Sequence, residues 1–269
     1  NVTTRFTEEI VSLRKSYCDD PDETVAPEGG DSFAEYAMIS LHRLRIFLDE
    51  TYEMIIDRLE VIPPNMDILG LEADDLSYPS TLNKWFDTIV MQVWRVLLSH
   101  SAHLHSPSPH VAVHAIYYKR SPASKHYCDC TNYRVQIVEA TKLVDTETQA
   151  ILHVHCTTTR EGSDADVCVQ LARRYAGELQ TLAADKGYDS QPPRETRRDM
   201  GIHPLVKHRV FAPYGHAHNA RIEDDLYNQR SMTETVNSSV KHSNGSAVRA
   251  REWYREFVLI CTVYNIKQT

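Results

Sequence analysis

The sequence has no apolar run long enough to cross a membrane and no N-terminal secretion signal. Its longest apolar stretch, Ile89 to Leu98, is interrupted by Gln92 and Arg95 and is far shorter than the roughly 20 residues that a spanning helix needs. The chain opens with Asn-Val-Thr-Thr, without the basic and apolar segments of a signal peptide. A membrane protein is therefore not expected, and the missing initiator Met suggests a trimmed or partial chain.

Cysteine is also scarce. Six cysteines in 269 residues, without a secretion signal, are not the pattern of a disulfide framework, so we expect a protein of the reducing cytoplasm. Hydrophobic residues at 42% and charged residues at 25% are ordinary globular values. The chain should therefore bury a core rather than remain disordered.

Acidic and basic residues are unevenly distributed along the chain. Residues 1–105 hold 8 Lys and Arg against 19 Asp and Glu, a net charge of −11. Residues 106–269 hold 21 against 18, a net charge of +3, together with 10 of the 14 histidines. A site for a polyanion is therefore predicted in the second part.

The acidic first part carries helical patterns. Apolar residues recur at spacings close to 3.6 over residues 32–62, which predicts one long or two short amphipathic helices ended by Pro63-Pro64. A further helix, a turn and a helix capped by Ser80 are predicted at about Leu69–Leu76, Tyr78-Pro79-Ser80 and Thr81–Ser101. Such a pair could place a recognition helix in a DNA groove or form an ordinary helical hairpin, and the surplus of acid favours the hairpin.

The segment His105–His110, with two prolines, is predicted to link an N-terminal helical domain, residues 1–105, to a second domain, residues 106–269. After it the pattern becomes β-β-β-α-β-α-β-α-α, with the first three strands as an antiparallel meander. This order predicts an α/β domain with a mixed sheet flanked by helices. The predicted elements are His110–Tyr118, Tyr133–Val144, Ala150–Thr157, a helix from Ser163 to about Leu179, Thr181–Ala184, a helix near Arg194–Met200, Pro204–Lys207, a loop, and two helices after Asp225 broken near Asn244-Gly245.

Four side chains form the clearest candidate site. Tyr227, Arg230, Glu234 and Lys241 fall within an arc of roughly 60° on a helix. A carboxylate beside an aromatic ring and two cations could ligate a metal ion while its neighbours hold phosphates. A solvated helix face with ordinary ion pairs would have the same spacing.

Asp185 is the second candidate. It directly follows the predicted strand Thr181–Ala184, at a place where the strand fixes a carboxylate and the loop leaves it accessible. A turn aspartate before a glycine is the simpler alternative. Further along, Lys207, His208 and Arg209 form a basic cluster that could contact a DNA backbone or lie in a solvated loop.

These motifs resemble the DDE transposases of insertion sequences, in particular those of halophilic archaea. The resemblance is carried by Asp185-Lys-Gly-Tyr-Asp189 and by the spacing Tyr-x2-Arg-x3-Glu-x6-Lys that ends at Lys241. Phrases such as Ala217-His-Asn-Ala-Arg221 and Trp253-Tyr-Arg-Glu-Phe257 extend it over most of residues 32–269. It implies an RNase H-like core after an N-terminal all-helical region.

The resemblance also implies a metal site. In the family three acidic residues bind two Mg²⁺ ions, and Mn²⁺ is a possible substitute. By resemblance Asp185 and Glu234 are the second and third acids and the metal ligands. Arg230 and Lys241 would contact DNA phosphates, with Tyr227 packed beside the site.

The first acid departs from the family pattern. The family places it in the first strand, in a phrase like Val-Ala-Val-Asp-Ala, and this sequence has Val111-Ala-Val-His114-Ala. An imidazole removes one negative charge and offers a neutral nitrogen, which Mg²⁺ accepts poorly. His114 therefore indicates a decayed element copy, a protein that binds DNA without cutting it, or a site that works with a softer ion such as Mn²⁺.

A zinc site is a competing hypothesis. Its candidate ligands lie near two neighbouring predicted strands: His126, Cys128, Cys130, His153, His155 and Cys156. Alternate strand residues share a face, but structural zinc sites usually use C-x2-C knuckles. Buried thiols are the simpler alternative.

The resemblance finally implies a function. We expect a transposase that binds the terminal inverted repeats of its element and target DNA, and that cleaves and transfers strands. It would act as a homodimer or higher assembly at the nucleoid in the cytoplasm. Two alternatives remain at this point: a catalytically inactive DNA-binding protein derived from a transposase, and a zinc-stabilised structural protein.

Overall fold

The computed structural model describes residues 2–17, 34–72, 75, 78–120, 137–158, 163–175, 179–211, 213–249 and 252–269. The chain divides into two compact units. The first comprises residues 1–104 and 257–269, and the second comprises residues 105–256. No helix within the described ranges is both long and apolar enough to span a membrane.

The first unit is helical throughout its described secondary structure. Its helices are α1 (Val2–Lys15), α2 (Glu35–Leu48), α3 (Tyr52–Val61), α4 (Pro63–Leu69), α5 (Pro79–Thr88), α6 (Met91–His103) and the part of the C-terminal helix from Phe257 onward. Thr51 caps α3 by accepting a hydrogen bond from Met54 N, as an N-cap threonine should. The N-terminal helical region expected from the sequence is confirmed.

Several helix boundaries differ from the sequence prediction because proline can begin a helix as well as end one. Pro63 starts α4, where its missing N–H costs no hydrogen bond. Gly70 then ends α4 at a φ of 70°, so the helix expected from Leu69 to Leu76 is wrong where residues are described. Pro79, not Thr81, begins α5, and the single helix expected up to Ser101 breaks at Ile89 and Val90.

A ring cluster fills the core of the first unit. The imidazole of His42 is fully buried, and four aromatic rings lie with their centroids between 5.2 and 6.4 Å from it: Tyr52, Trp85, Phe86 and Trp94. Burial, with a smaller contribution from Arg45, lowers the pKa of His42 to about 3. His42 is therefore a neutral core residue at physiological pH.

The second unit is built on a six-stranded mixed sheet. Its strands are β1 (His110–Arg120), β2 (Ile137–Asp145), β3 (Ile151–Thr157), β4 (Thr181–Ala184), β5 (His203–Val206) and β6 (Ala247–Val248). The order is β3-β2-β1-β4-β5, with β6 beside the end of β1. The first three strands are antiparallel, whereas β4, β5 and β6 run parallel to their neighbours. This is the RNase H-like arrangement, which confirms the predicted fold class.

Helices flank this sheet. They are α7 (Asp164–Tyr175), α8 (Gln191–Asp199), α9 (Pro213–Asn219), α10 (Asp224–Asn228), α11 (Met232–Asn244) and the beginning of α12 (Trp253–Lys267). The strand Thr181–Ala184 was predicted to the residue. Helix α9 lies where a loop was expected, and β6 lies just after the helix break expected near Asn244-Gly245, where no strand was predicted. The predicted start of β2 at Tyr133 lies outside the described residues.

Candidate functional site

The sheet places His114, Asp185 and Lys207 side by side. Val113 of β1 pairs with Ala184 of β4, and Ala184 pairs with Val206 of β5, all in parallel register. His114, Asp185 and Lys207 each come directly after one of these three paired residues. Because parallel neighbours lie about 4.8 Å apart and side chains alternate between faces, the three side chains leave the same face at the carboxyl edge of the sheet.

A compact cluster on that face seats the segment that carries Glu234. Ala112, Ala183 and Leu205 lie two residues before the three polar positions, and the buried ring of Tyr227 packs against them. The two alanines leave room for a large ring close to the strands. Tyr227 thereby anchors the helical segments at residues 224–244 beside the carboxyl edge.

Tyr227, Arg230 and Glu234 lie in line, as their spacing predicted. They occupy α10, a 3-10 turn (Gln229–Ser231) and α11, so the stripe crosses three short helical segments instead of one helix. The Arg230 guanidinium lies 5.3 Å from the Tyr227 ring centroid and 3.9 Å from Glu234 Oε1. Lys207 Nζ lies 4.5 Å from the same ring and 2.6 Å from Asp224 Oδ1. The Tyr227 ring thus contacts two cations, of which Arg230 also borders the Glu234 carboxylate and Lys207 is paired with Asp224.

His114 is electrostatically coupled to both predicted acids. Burial lowers the pKa of its half-buried imidazole, Glu234 and Asp185 oppose that change, and Arg230 and Lys142 add to it. The net pKa shift is downward, so the imidazole is neutral at physiological pH. The three positions at which the family resemblance places acids are therefore electrostatically coupled, with a neutral group at the first, although they do not form a group of metal ligands within the described residues.

Asp185 is exposed and well oriented by its turn. Its Oδ1 accepts a hydrogen bond from Lys186 N at 2.7 Å, which caps a 3-10 turn at Lys186–Tyr188. This bond fixes the rotamer of the side chain and occupies one carboxylate oxygen, while the other oxygen has further acceptor capacity. Asp185 can thus contact a ligand at the edge of the sheet.

Sequence reasoning missed a buried lysine under this site. Lys142 of β2 is the antiparallel register partner of His114 and is fully buried. Its Nζ donates to Asn237 Oδ1 at 2.7 Å and to the Tyr118 hydroxyl at 3.3 Å. The Tyr118 ring in turn lies 5.2 Å from Lys241 Nζ. The only sequence signal was a lysine between the apolar residues of this strand, next to Leu143 and Val144.

A second missed network braces the loops after β4 and β5. Asp189 forms an ion pair with Arg194, and its Oδ2 lies within hydrogen-bond distance of His208 Nδ1, at 2.8 Å. Arg194 is almost fully buried, and burial lowers its pKa, which the nearby Asp189 carboxylate opposes. His208 is thus held in place, whereas its neighbour Arg209, a predicted DNA contact, is exposed.

The zinc hypothesis gains nothing from the described residues. His153 is buried on β3 with its ring 6.4 Å from that of Tyr175, whereas His126, Cys128 and Cys130 lie outside the described residues. Within the described ranges, no three His, Cys, Asp or Glu side chains come together as a group that could hold a metal ion.

The donor set at the carboxyl edge does not fit a pair of Mg²⁺ ions. Two hard cations need several carboxylate oxygens, and here the third donor is the His114 nitrogen, with one Asp185 oxygen already accepting a backbone hydrogen bond. Arg230 and Lys142 add positive charge beside it. The local balance of charge favours a phosphate group over two divalent cations.

The chain has recognisable relatives. A family model described as "Transposase DDE domain" matches residues 105–266, more than half of the chain, while the search of curated proteins finds no match. A piggyBac transposase synaptic complex with hairpin DNA is similar in structure at 11% identity and a TM-score of 0.49, with 99% of this chain and 73% of that chain covered. A Mos1 transposase paired-end complex with left transposon end has 12% identity and a TM-score of 0.26, over 87% and 85% of the two chains. On the family match, this chain belongs to the transposases with a DDE domain.

Proposed function

We propose that this chain is an insertion-sequence transposase that binds the terminal inverted repeats of its element as double-stranded DNA, but whose phosphodiester cleavage is disabled at position 114. The observation that carries the proposal is the position of His114, next to Asp185 in parallel register and electrostatically coupled to Glu234. The other residues expected at the site, Asp185, Glu234, Arg230 and Lys241, are all present in the sequence.

DNA binding is supported by the cations around the two acids. Arg230, Lys207 and Lys241 lie on or next to the aromatic rings of Tyr227 and Tyr118, which hold them at the site. Lys207 is also paired with Asp224, so Arg230 and Lys241 are the cations that we expect to contact the phosphodiester backbone beside Asp185 and Glu234. The chain would act on DNA in the cytoplasm at the nucleoid, and pairing of two element ends would require a homodimer.

The cleavage chemistry depends on the first donor. Asp185 and Glu234 are the carboxylates that would hold a Mg²⁺ or Mn²⁺ ion, and the chemistry that such an ion would supply is Lewis-acid activation of a phosphodiester. The neutral imidazole of His114 removes one negative charge where that cation would lie. DNA binding does not need this charge, so binding should survive while cleavage is lost.

The test compares the chain with His114→Asp on a labelled duplex that carries the terminal repeat of the encoding element, in Mg²⁺ and in Mn²⁺. We expect both proteins to bind the duplex and only His114→Asp to cut it. His114→Asn is the matched control, because it changes the size of the side chain in the same way without adding a charge, and it should not cut.

Other outcomes discriminate between the alternatives. Cleavage by the unchanged chain in Mn²⁺ would make His114 a working ligand and overturn the disabled site. Binding without cleavage by any of the three proteins would favour the alternative, a non-catalytic DNA-binding protein derived from a transposase. If no protein binds the element ends, the proposed function fails.

A further inference from the structure

A buried cation lies beside the first position of the candidate site. Lys142 is in the middle of β2, its side chain is fully buried, and it is the register partner of His114 on β1. Residues directly opposite each other in an antiparallel pair have their Cβ atoms about 4.5–5.5 Å apart on one face of the sheet. The Lys142 side chain therefore leaves the sheet on the face that carries His114.

Two hydrogen bonds fix the ammonium group of Lys142. Its Nζ donates to Asn237 Oδ1 at 2.7 Å and to the Tyr118 hydroxyl at 3.3 Å. Asn237 follows Glu234 by three residues on α11, so the two side chains are neighbours on the surface of that helix. The ammonium is thus held between the strand that carries position 114 and the helix that carries Glu234.

The positive charge of Lys142 acts at position 114. Burial is the largest cause of the lowered pKa of His114, and the charges of Arg230 and Lys142 lower it further. Salt screens a buried charge much less than an exposed one. The field of Lys142 therefore also acts on an ion that approaches the side chain at position 114.

The ammonium group cannot move away from such an ion at low cost. A lysine at the surface swings aside easily, because its four-carbon stem is flexible. Movement of Lys142 would break both hydrogen bonds and leave the buried Asn237 amide oxygen without this donor. Because an unpaired buried polar group is costly, the ammonium is a fixed part of the site.

We propose that Lys142 is a second determinant, besides His114, of the kind of ion that the carboxyl edge accepts, and that its ammonium disfavours a divalent cation at Asp185 and Glu234. Like charges that are held close together repel strongly where the effective dielectric constant is low. A carboxylate placed at position 114 would lie opposite the ammonium and interact with it as well as with a metal ion. Aspartate at position 114 alone therefore makes only a weak metal site. The proposal rests on the proposed function, which assigns Asp185 and Glu234 as the metal ligands.

The test measures Mn²⁺ binding by electron paramagnetic resonance, with Mn²⁺ alone as the probe and with the full chain in the absence of DNA. The unchanged chain is compared with His114→Asp, and with His114→Asp combined with either Lys142→Gln or Lys142→Met. Glutamine keeps a donor for Asn237 Oδ1 but carries no charge. We expect His114→Asp to bind Mn²⁺ more tightly than the unchanged chain, and both combined variants to bind it about 10-fold more tightly again. Circular dichroism checks that each variant is folded.

Lys119→Gln in the His114→Asp chain is the matched control. Lys119 is an exposed lysine of β1, five residues from position 114 and thus about 17 Å from it along the strand. A Mn²⁺ affinity that neither substitution of Lys142 changes, or that Lys119→Gln raises equally, would overturn the proposal. The same holds if His114→Asp does not strengthen Mn²⁺ binding with or without Lys142. Binding of the element ends by the unchanged chain is measured separately, so the proposed function can stand when this inference fails, and its own failure is recognised by loss of that binding.

Discussion

Lys142 Nζ donates a 2.7 Å hydrogen bond to Asn237 Oδ1 in the interior of the second unit. The bond joins β2, directly opposite His114, to α11 one turn after Glu234. It therefore helps to set the distance between the helix that carries Glu234 and the strand that carries His114. A buried ammonium group is costly unless it is hydrogen bonded, so this contact also bears on stability.

Replacement of Asn237 by leucine should destabilise the second unit. The change removes the closest acceptor of Lys142 while keeping the number of side-chain heavy atoms, and a buried charged donor that loses a partner typically costs about 2–3 kcal/mol. Urea denaturation measures the free energy of unfolding.

The double variant Lys142→Met/Asn237→Leu should recover part of the loss, because it also removes the buried charge. Ser238→Ala, on the exposed face of the same helix, is the control, and equal stabilities of all four proteins would refute a structural role for the bond.

Removal of single cations at the site should change the salt dependence of DNA binding. Arg230→Gln and Lys241→Gln each remove one candidate phosphate contact, so the slope of log K against log salt should fall by about 1. Fluorescence anisotropy at several salt concentrations measures it. Arg173→Gln is the matched control, since Arg173 is an exposed arginine of α7.

The position of α7 makes that control informative. His153 of β3 contacts Tyr175 of α7 and pairs with Leu143 of β2. The preceding residue of β2, Lys142, points to the face that carries α11. Alternation along β2 then places α7 on the opposite face of the sheet. A slope that falls equally for Arg173→Gln would mean diffuse attraction to the protein surface and no binding at the site.

Periodicity was sufficient for the first five strands of the sheet but not for β6 or for the details of the site. The apolar strands and the end of β4 at Ala184 follow from local pattern, and the spacing of Tyr227, Arg230 and Glu234 indicated a row in which Arg230 lies near each of the other two. The pairing of Lys142 with Asn237 could not be predicted, because the two residues are 95 positions apart and depend on strand register. Helix breaks at Ile89 and Gly70 were missed for a related reason: helix propensity is weak and tertiary packing decides boundaries.

The stability of the first unit should depend on pH through His42. Its pKa is about 3 in the folded chain and about 6.5 in the unfolded chain. Between these values only the unfolded state binds the proton, so stability is lost as the pH falls, by about 1.4 kcal/mol per pH unit. His42→Phe should remove roughly 2 kcal/mol of the loss between pH 6.5 and 5.

Urea denaturation at several pH values tests this. The comparison is between the pH dependence of the unchanged chain and that of His42→Phe, so contributions common to both cancel. His103→Gln, at an exposed position of the same unit, should leave the pH dependence almost unchanged. A parallel pH dependence for His42→Phe would mean that His42 is protonated in the folded state.

The aromatic ring of Tyr227 should be needed for DNA binding, because it contacts both the sheet and two cations. Its buried ring covers Ala112 and Ala183 on the sheet, and Lys207 and Arg230 lie against the ring at 4.5 and 5.3 Å. Tyr227→Phe keeps both contacts and should bind duplex DNA as the unchanged chain does. Tyr227→Leu keeps an apolar contact with the sheet but loses the aromatic face, and each cation–π contact is worth about 0.5–1 kcal/mol or more. We therefore expect Tyr227→Leu to bind DNA about 5-fold more weakly, with circular dichroism as the check that the fold is retained.

If Tyr227→Phe and Tyr227→Leu bind equally well, the ring only fills space, and Lys207 and Arg230 are positioned by Asp224 and Glu234 instead.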